Sequence, residues 1–201
     1  EKMLVTKKAP DFTAAAVLGS NQIVNDFNLY KNIGEKGAVV FFYPMDFTFV
    51  CPSEIIAFDK RYDEFKARGI EVIGVSTDNQ FSHFAWKETP VNKGGIGQVR
   101  YPLVADMTKS IARGFDVLLE DAGVALRGSF LLDKDGTVRH AVINDLPLGR
   151  NIDEMIRMVD TMLFTNEHGE VCPAGWNKGD KGMKADTAGV ADYLSHNADK
   201  L

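Results

Sequence analysis

The residues with the greatest capacity for chemistry are the two cysteines, Cys51 and Cys172. Two are too few for a disulfide scaffold or for a structural zinc site built on cysteine. In a reducing compartment, each is therefore either a bland buried residue or a catalytic one. Cys51 falls between the apolar run Ala38-Val39-Val40-Phe41-Phe42-Tyr43 and a segment of helical periodicity. Pro52 suits the first position of that helix, which makes Cys51 its expected N-cap. A sulfur there faces the positive end of the helix dipole and free N–H groups, an environment that favours the thiolate. Position alone supports a nucleophile and a buried structural cysteine about equally. A thioredoxin-type dithiol needs a second cysteine three residues on, but the stretch reads Cys51-Pro52-Ser53-Glu54, and a carboxylate cannot resolve a mixed disulfide. If Cys51 does redox chemistry, its partner must be Cys172. A thiol-proteinase site is poorly supported, because none of its local signatures accompanies the four histidines.

The rest of the chain has to position these groups. Its 201 residues, 45% hydrophobic and 25% charged, suit one compact domain, or a domain plus an arm, with a core large enough to need no staples. Lys and Arg total 23 against 28 Asp and Glu, so no broad basic face is available for nucleic acid or anionic lipid. The longest apolar run, Ala38 to Tyr43, falls far short of the ~20 residues that span a bilayer. No apolar signal region precedes Thr6-Lys7-Lys8, so a cytoplasmic protein with neither nucleic-acid nor membrane partners is expected. Met3 reads as an initiator, which would leave Glu1 and Lys2 outside the natural chain.

Ala38 to Tyr43 and Ile70 to Ser76 are strand-like, and Ile55, Phe58, Tyr62 and Phe65 recur between them at helical spacing up to Lys66, Arg68 and Gly69. That is a βαβ unit with parallel neighbouring strands. Asp78 and Asp106 are expected to cap short helices. Val124 to Leu132 and Thr137 to Asn144 form a hairpin through Asp133-Lys134-Asp135-Gly136. A last long helix starts near Asn151, with Met155, Ile156, Val159, Met162 and Leu163 as its apolar stripe. From about Asn166 the chain becomes glycine-rich and aperiodic, like an arm. The expected fold class is α/β, a mixed sheet with a separate tail.

The stretch Pro44-Met45-Asp46-Phe47-Thr48-Phe49-Val50-Cys51 resembles the Pro-x-x-x-Thr-x-x-Cys signature of the peroxiredoxins. Asp46 to Glu54 is similar to the typical two-cysteine branch, where Thr is usual in place of Ser53. The resemblance continues, in order, through Phe84-Ala85-Trp86, Gly94-Gly95-Ile96-Gly97, Asn144-Asp145-Leu146-Pro147-Leu148-Gly149-Arg150 and His168-Gly169-Glu170-Val171-Cys172-Pro173-Ala174-Gly175-Trp176. It implies a thioredoxin-like fold, central mixed sheet flanked by helices, over residues 3–165, with a C-terminal arm over residues 166–201. It implies a peroxidase in antioxidant defence that reduces hydrogen peroxide and alkyl hydroperoxides. Cys51 would become a sulfenic acid and Cys172 of a partner subunit would resolve it as a disulfide. Pro44 would exclude water, Thr48 would orient thiolate and peroxide, and Arg127 would bind both; Glu54 and Arg150 would support them. No cofactor is implied, because sulfur carries the electrons. The implied partners are thioredoxin or a dedicated flavoprotein reductase, and further copies of the chain: a homodimer, and a decamer of five dimers.

Each assignment has a plainer rival. Pro44 can simply end a strand, Thr48 can be a turn residue, Glu54 can complement the helix dipole, Arg127 can be a surface or ion-pair arginine, and Arg150 can be a solvated surface one. Trp86 reads as packing. Gly95-Ile96-Gly97 lacks the third glycine and the preceding strand of a dinucleotide loop, so no nucleotide site is expected. Two other functions are compatible with the sequence. A ring-shaped holdase would keep its activity in Cys51→Ser, and a protein-disulfide oxidoreductase is disfavoured by Glu54.

Overall fold

The computed structural model describes residues 2–201, which divide into two compact units meeting at Ile152 and Asp153. The first unit opens with β1 (Thr13–Val17) and β2 (Ile23–Asn28), an antiparallel hairpin. Nothing in the sequence expectations corresponds to it, because Thr13-Ala14-Ala15-Ala16-Val17 shows no alternation of apolar and polar residues. A short helix, α1 (Leu29–Ile33), follows, capped by the Asn28 side chain, which accepts from the Lys31 N–H.

In β3 (Gly37–Phe42) every residue is buried, as in a strand covered on both faces. The single expected helix is two, α2 (Cys51–Lys60) and α3 (Tyr62–Ala67), because Arg61 at φ −109° and ψ 10° leaves helical geometry between them. The chain returns in β4 (Ile70–Ser76), parallel to β3 in the register Phe42 to Val75, so the βαβ expectation holds. After α4 (Gln80–Glu88), β5 (Leu103–Ala105) extends the parallel set. The cap of α4 is Asn79, not Asp78. Asp106 instead fastens α5 (Ser110–Gly114) from upstream, accepting from the Ile111 and Ala112 N–H groups at 3.0 and 2.8 Å.

A small ribbon, β6 (Leu118–Leu119) with β7 (Val124–Ala125), precedes the expected hairpin, β8 (Arg127–Leu132) and β9 (Val138–Asn144). The main sheet runs β2-β1-β5-β4-β3-β8-β9: β3, β4 and β5 are parallel, their outer neighbours antiparallel, and β9 lies at an edge. The alternation of β3 divides the core into two layers. Phe42 meets Phe115 and Phe130 at ring distances of 5.1 and 5.9 Å. Phe41, on the other face, stacks on Phe58 of α2 at 4.1 Å. Among the described residues, no helix is long and apolar enough to cross a membrane.

The second unit holds most of α6 (Ile152–His168), the expected last long helix, and α7 (Thr187–Asn197), which the sequence expectations do not contain. Asp186 caps α7 through the Gly189 N–H at 2.6 Å. Between the helices, Val171 and Met183 exchange backbone hydrogen bonds of 2.9 and 3.0 Å, and Trp176 lies 4.8 Å from Phe164.

The β8–β9 turn tests the hairpin. Gly136 has φ +84°, and a Cβ there would stand 2.4 Å from the ring of Tyr30, whose hydroxyl donates to the Ala9 carbonyl. Gly136→Ala is expected to destabilise the protein by about 1–3 kcal/mol, read as a lower urea midpoint with an unchanged slope; an unshifted midpoint contradicts this account.

Candidate active site

Beyond β3 the chain passes through buried Tyr43 and Pro44 and reaches α2 by way of residues 45–50. The helix begins one residue earlier than expected. Val50, at φ −83° and ψ −35°, is already helical and serves as the cap, and its carbonyl accepts from the Ser53 N–H at 3.1 Å. Cys51 is therefore the first helical residue, with Pro52 second. Its thiol is free and fully buried.

Three charged side chains gather around this sulfur. Arg127, at the start of β8, places Nη1 3.3 Å from Cys51 Sγ and 2.5 Å from Glu54 Oε1, while its Nε donates to the Leu146 carbonyl at 2.7 Å. Arg150 donates to Glu54 Oε2 from both its backbone N–H and its Nε, at 3.0 and 2.7 Å. Its Nη1 bonds the Gly128 carbonyl at 2.8 Å, and its guanidinium lies over the Phe41 ring at 5.1 Å. Burial pushes the Arg150 guanidinium below its ordinary value, and the Glu54 carboxylate opposes that shift. Both guanidiniums remain charged, as arginine does in proteins. Two positive groups thus share one carboxylate in a dry site, and the surplus positive charge is aimed at the sulfur.

Glu54, Arg127 and Arg150 are therefore buried, not surface or solvated residues, and both arginines, Arg127 as the ion-pair reading had it, are paired with Glu54. Pro44 is buried, and Thr48 is half-buried with its hydroxyl donating to the Met45 carbonyl at 2.7 Å. Cys172 belongs to the second unit, where its sulfur lies 3.7 Å from the Thr165 hydroxyl and 3.8 Å from the Thr161 carbonyl. Trp86 is fully buried and donates its indole N–H to the Gly94 carbonyl, so the glycine loop wraps an aromatic ring.

A second buried cluster had no counterpart in the sequence expectations. Asp46 accepts from the Tyr43 hydroxyl at 2.8 Å and pairs with His83 Nδ1 at 2.7 Å; His83 Nε2 lies 3.0 Å from the Val104 carbonyl. The Asp46 N–H donates to Asp78, which also accepts from the Ser76 hydroxyl. The signal that could have found it is helical spacing, since His83 shares the buried face of α4 with Trp86 and Lys87. Asp46, Asp78 and His83 each bring one possible ligand atom within 4.8 Å of the others. Those atoms already bond one another and protein donors, so the cluster is a closed hydrogen-bond network and not a metal cradle.

The sheet order, with a cysteine opening the helix after the interior strand β3, defines a thioredoxin-like fold. The profile of the AhpC/TSA family matches residues 5–141, and that of the C-terminal domain of 1-Cys peroxiredoxin matches residues 162–196. Alkyl hydroperoxide reductase C of Helicobacter pylori is 67% identical over 99% of this chain and 100% of its own length. The chloroplastic 2-Cys peroxiredoxin BAS1 of Hordeum vulgare is 48% identical over 96% of this chain and 90% of its own length. The crystal structure of the reduced 2-Cys peroxiredoxin of Plasmodium vivax superposes with a TM-score of 0.93, at 47% identity, over 96% of this chain and 99% of that one. The chain belongs to the AhpC/TSA family of peroxiredoxins and is a thiol-dependent peroxidase.

Removing the carboxylate that two buried guanidiniums share should be costly. Glu54→Gln is expected to lower stability by about 3–5 kcal/mol, measured by chemical denaturation of the reduced protein; a loss under about 1 kcal/mol would mean that solvent already screens the pair.

Proposed function

We propose that Cys51 is the peroxidatic nucleophile and that the protein reduces hydrogen peroxide and small organic hydroperoxides. The observation that carries this reading is the 3.3 Å contact between Arg127 Nη1 and Cys51 Sγ in a site whose charge surplus faces the sulfur. The thiolate attacks one peroxide oxygen, an S–O bond forms as the O–O bond breaks, and the leaving oxygen takes a proton to become water or an alcohol. Negative charge moves from sulfur toward the leaving oxygen, and Arg127 has donors for both ends of that movement. Glu54 holds Arg127 and Arg150 in place. The Thr48 hydroxyl, its proton turned to the Met45 carbonyl, keeps lone pairs free to accept from a peroxide O–H. Buried Pro44 excludes water from the sulfur.

The product at Cys51 is a sulfenic acid. The thiol of Cys172, on the 166–201 arm of a partner subunit, condenses with it to a disulfide and water. Because Cys51 is fully buried, the first turn of α2 must unwind locally before the two sulfurs meet. An external dithiol, thioredoxin or a flavoprotein reductase, then returns both thiols, so the cycle runs without a bound cofactor and serves cytoplasmic antioxidant defence. The 3–165 peroxidase domain pairs with a second copy through the β9 edge. Five such dimers close a decamer over the apolar side chains exposed around the Cys51 loop and α4: Met45, Phe47, Phe49 and Phe81.

One equivalent of hydrogen peroxide added to the reduced protein is expected to give a Cys51–Cys172 linked dimer on a non-reducing gel, identified by peptide mass spectrometry. Cys51→Ser and Cys172→Ser should each abolish that band; a wild-type chain that stays monomeric with both thiols intact refutes the cycle. Sedimentation of the reduced protein at the mass of a single subunit would refute the assembly.

Arg127→Lys keeps the charge but cannot serve the Leu146 carbonyl, Glu54 and the sulfur at once. Its Cys51 should react with peroxide slower by a factor on the order of 10²–10³, measured by stopped flow; a rate within about threefold of wild type removes Arg127 from the reacting centre.

A further inference from the structure

The segment that carries Cys172 is folded on itself. Its ends meet where Val171 and Met183 exchange backbone hydrogen bonds. Between them the Trp176 N–H donates to the Pro173 carbonyl at 3.2 Å, across a turn that Gly175, at φ +68°, allows. A second turn follows, in which the Asn177 N–H donates to the Asp180 carboxylate at 2.8 Å and the Trp176 indole N–H donates to the Asp180 carbonyl at 3.1 Å. All of these bonds lie inside the segment, so it can move as one body, as a compact loop with closed ends does. Gly182 sets it down on α6, for a Cβ there would stand 2.5 Å from the Phe164 ring.

Other contacts cross from the loop to α6. Trp176, only 2% exposed, lies against Phe164. The half-buried Cys172 sulfur faces the Thr161 carbonyl at 3.8 Å and the Thr165 hydroxyl at 3.7 Å, contacts of the weak kind that a thiol makes. Arg157 makes a stronger one. Its Nη1 donates to the Trp176 carbonyl at 2.7 Å, while Nε and Nη2 donate to the two oxygens of Glu154 at 2.6 and 2.7 Å. Glu154 stands one turn before Arg157 on α6, so the carboxylate grips the guanidinium as a fork and leaves Nη1 for the loop. The Glu154 hydrogen bond raises the Arg157 guanidinium above even its ordinary value, so this donor stays charged. Thr161, one turn further on, donates its hydroxyl to the Arg157 carbonyl. The group that holds Trp176 and the carbonyl that faces Cys172 therefore lie along one face of the helix.

We propose that Arg157, braced by Glu154, is the positioning residue that latches the Val171–Met183 loop onto α6 and so sets how fast Cys172 reaches the oxidised Cys51. This rests on the reading of Cys172 as the resolving thiol. In that step the Cys172 sulfur attacks the sulfenic sulfur, an S–S bond forms as the S–O bond breaks, and the leaving hydroxyl takes the thiol proton to depart as water. A half-buried sulfur turned toward its own helix has to leave that helix to meet a sulfur of another chain. The bonds inside the loop survive such a movement, whereas the bond from Arg157 to Trp176 does not. Latched, the loop shelters the thiol on α6 between turnovers; released, it delivers the thiol.

Arg157→Met keeps the aliphatic stem and removes the donors. Its first test is made in a Cys51→Ser background, where iodoacetamide labels Cys172, the remaining cysteine. At about pH 9.5, above the ordinary thiol value, the labelling rate reads access to the sulfur more than its ionisation. Labelling is expected to be faster by about three- to tenfold with Arg157→Met, as for one lost hydrogen bond; an equal rate overturns the proposal. The second test keeps Cys51 and follows one equivalent of hydrogen peroxide by stopped flow. Peroxide consumption should be unchanged, while the Cys51–Cys172 disulfide forms faster by a similar factor. A disulfide step that keeps the wild-type rate overturns the proposal even where labelling is faster, because a merely structural contact loosens the loop without setting the pace of resolution. Should Arg157→Met not fold, Glu154→Ala decides: it leaves the arginine unbraced and should raise both rates, and two unchanged rates refute the latch. A wild type that forms no Cys51–Cys172 disulfide, whatever its labelling rate, sinks the resolving assignment itself and the role of Arg157 with it.

Discussion

Two buried guanidiniums sharing the carboxylate of Glu54 are the constraint on which the rest of the site depends. Glu54 lies one turn after Cys51 on α2, so the side chain that fixes the arginines and the thiol they face stand on the same helix face. The sheet supplies the other half. Antiparallel pairing sets Ser129 of β8 opposite Phe41 of β3, and Arg127, two residues before Ser129, points to the same face beyond the end of β3. The chain leaving β3 must cross that spot to begin α2. Arg150 comes from the turn after β9, folded back by the Asn144 side chain bonding the Leu148 and Gly149 carbonyls. With one carboxylate between two guanidiniums, the buried cluster keeps a surplus of positive charge beside the sulfur.

The same constraint bears on motion. A fully buried sulfur is nearer the reach of a small molecule than of another protein side chain. The segment between Asp46 and Glu54 is fixed at both ends by buried charge and carries, between those ends, a left-handed Phe47 and a nearly fully exposed Phe49. Local opening there breaks few apolar contacts, whereas opening at either anchor would strand a charge in the interior. The residues on either side of Cys51 are therefore where opening costs least, and the sheet is not involved.

Much of the frame could be read from residue patterns: the buried β3, the βαβ crossover and the β8–β9 hairpin all carry the period their structure requires. The alanines of β1 carry none, and its strand character arises from pairing with β2 and β5. Cys51 and Glu54 are close in sequence, and a helix between them follows from Pro52 and the apolar spacing. Arg127 and Arg150 sit far from them in the chain, and only the family resemblance pointed to them, because nothing local distinguishes a buried arginine from a solvated one. Asp46 lies inside the Pro44–Cys51 stretch and His83 immediately before Phe84-Ala85-Trp86. Each looks ordinary until the loop and α4 are placed together, so their pairing is a tertiary fact without a local signature.

Neither polar cluster is what makes the fold stable. Burying ions carries a desolvation cost that their attraction repays only with good geometry, and apolar residues of similar volume often serve stability as well or better. The aromatic layers around Phe41 and Phe42 already fill both faces of β3. What the clusters supply is a fixed direction of charge: Glu54 leaves one guanidinium's worth of positive field uncompensated beside the sulfur, and the Asp46–His83 pair ties the loop before Cys51 to α4. A hydrophobic interior in their place could hold the strands together, but it could not dictate where negative charge is allowed to form.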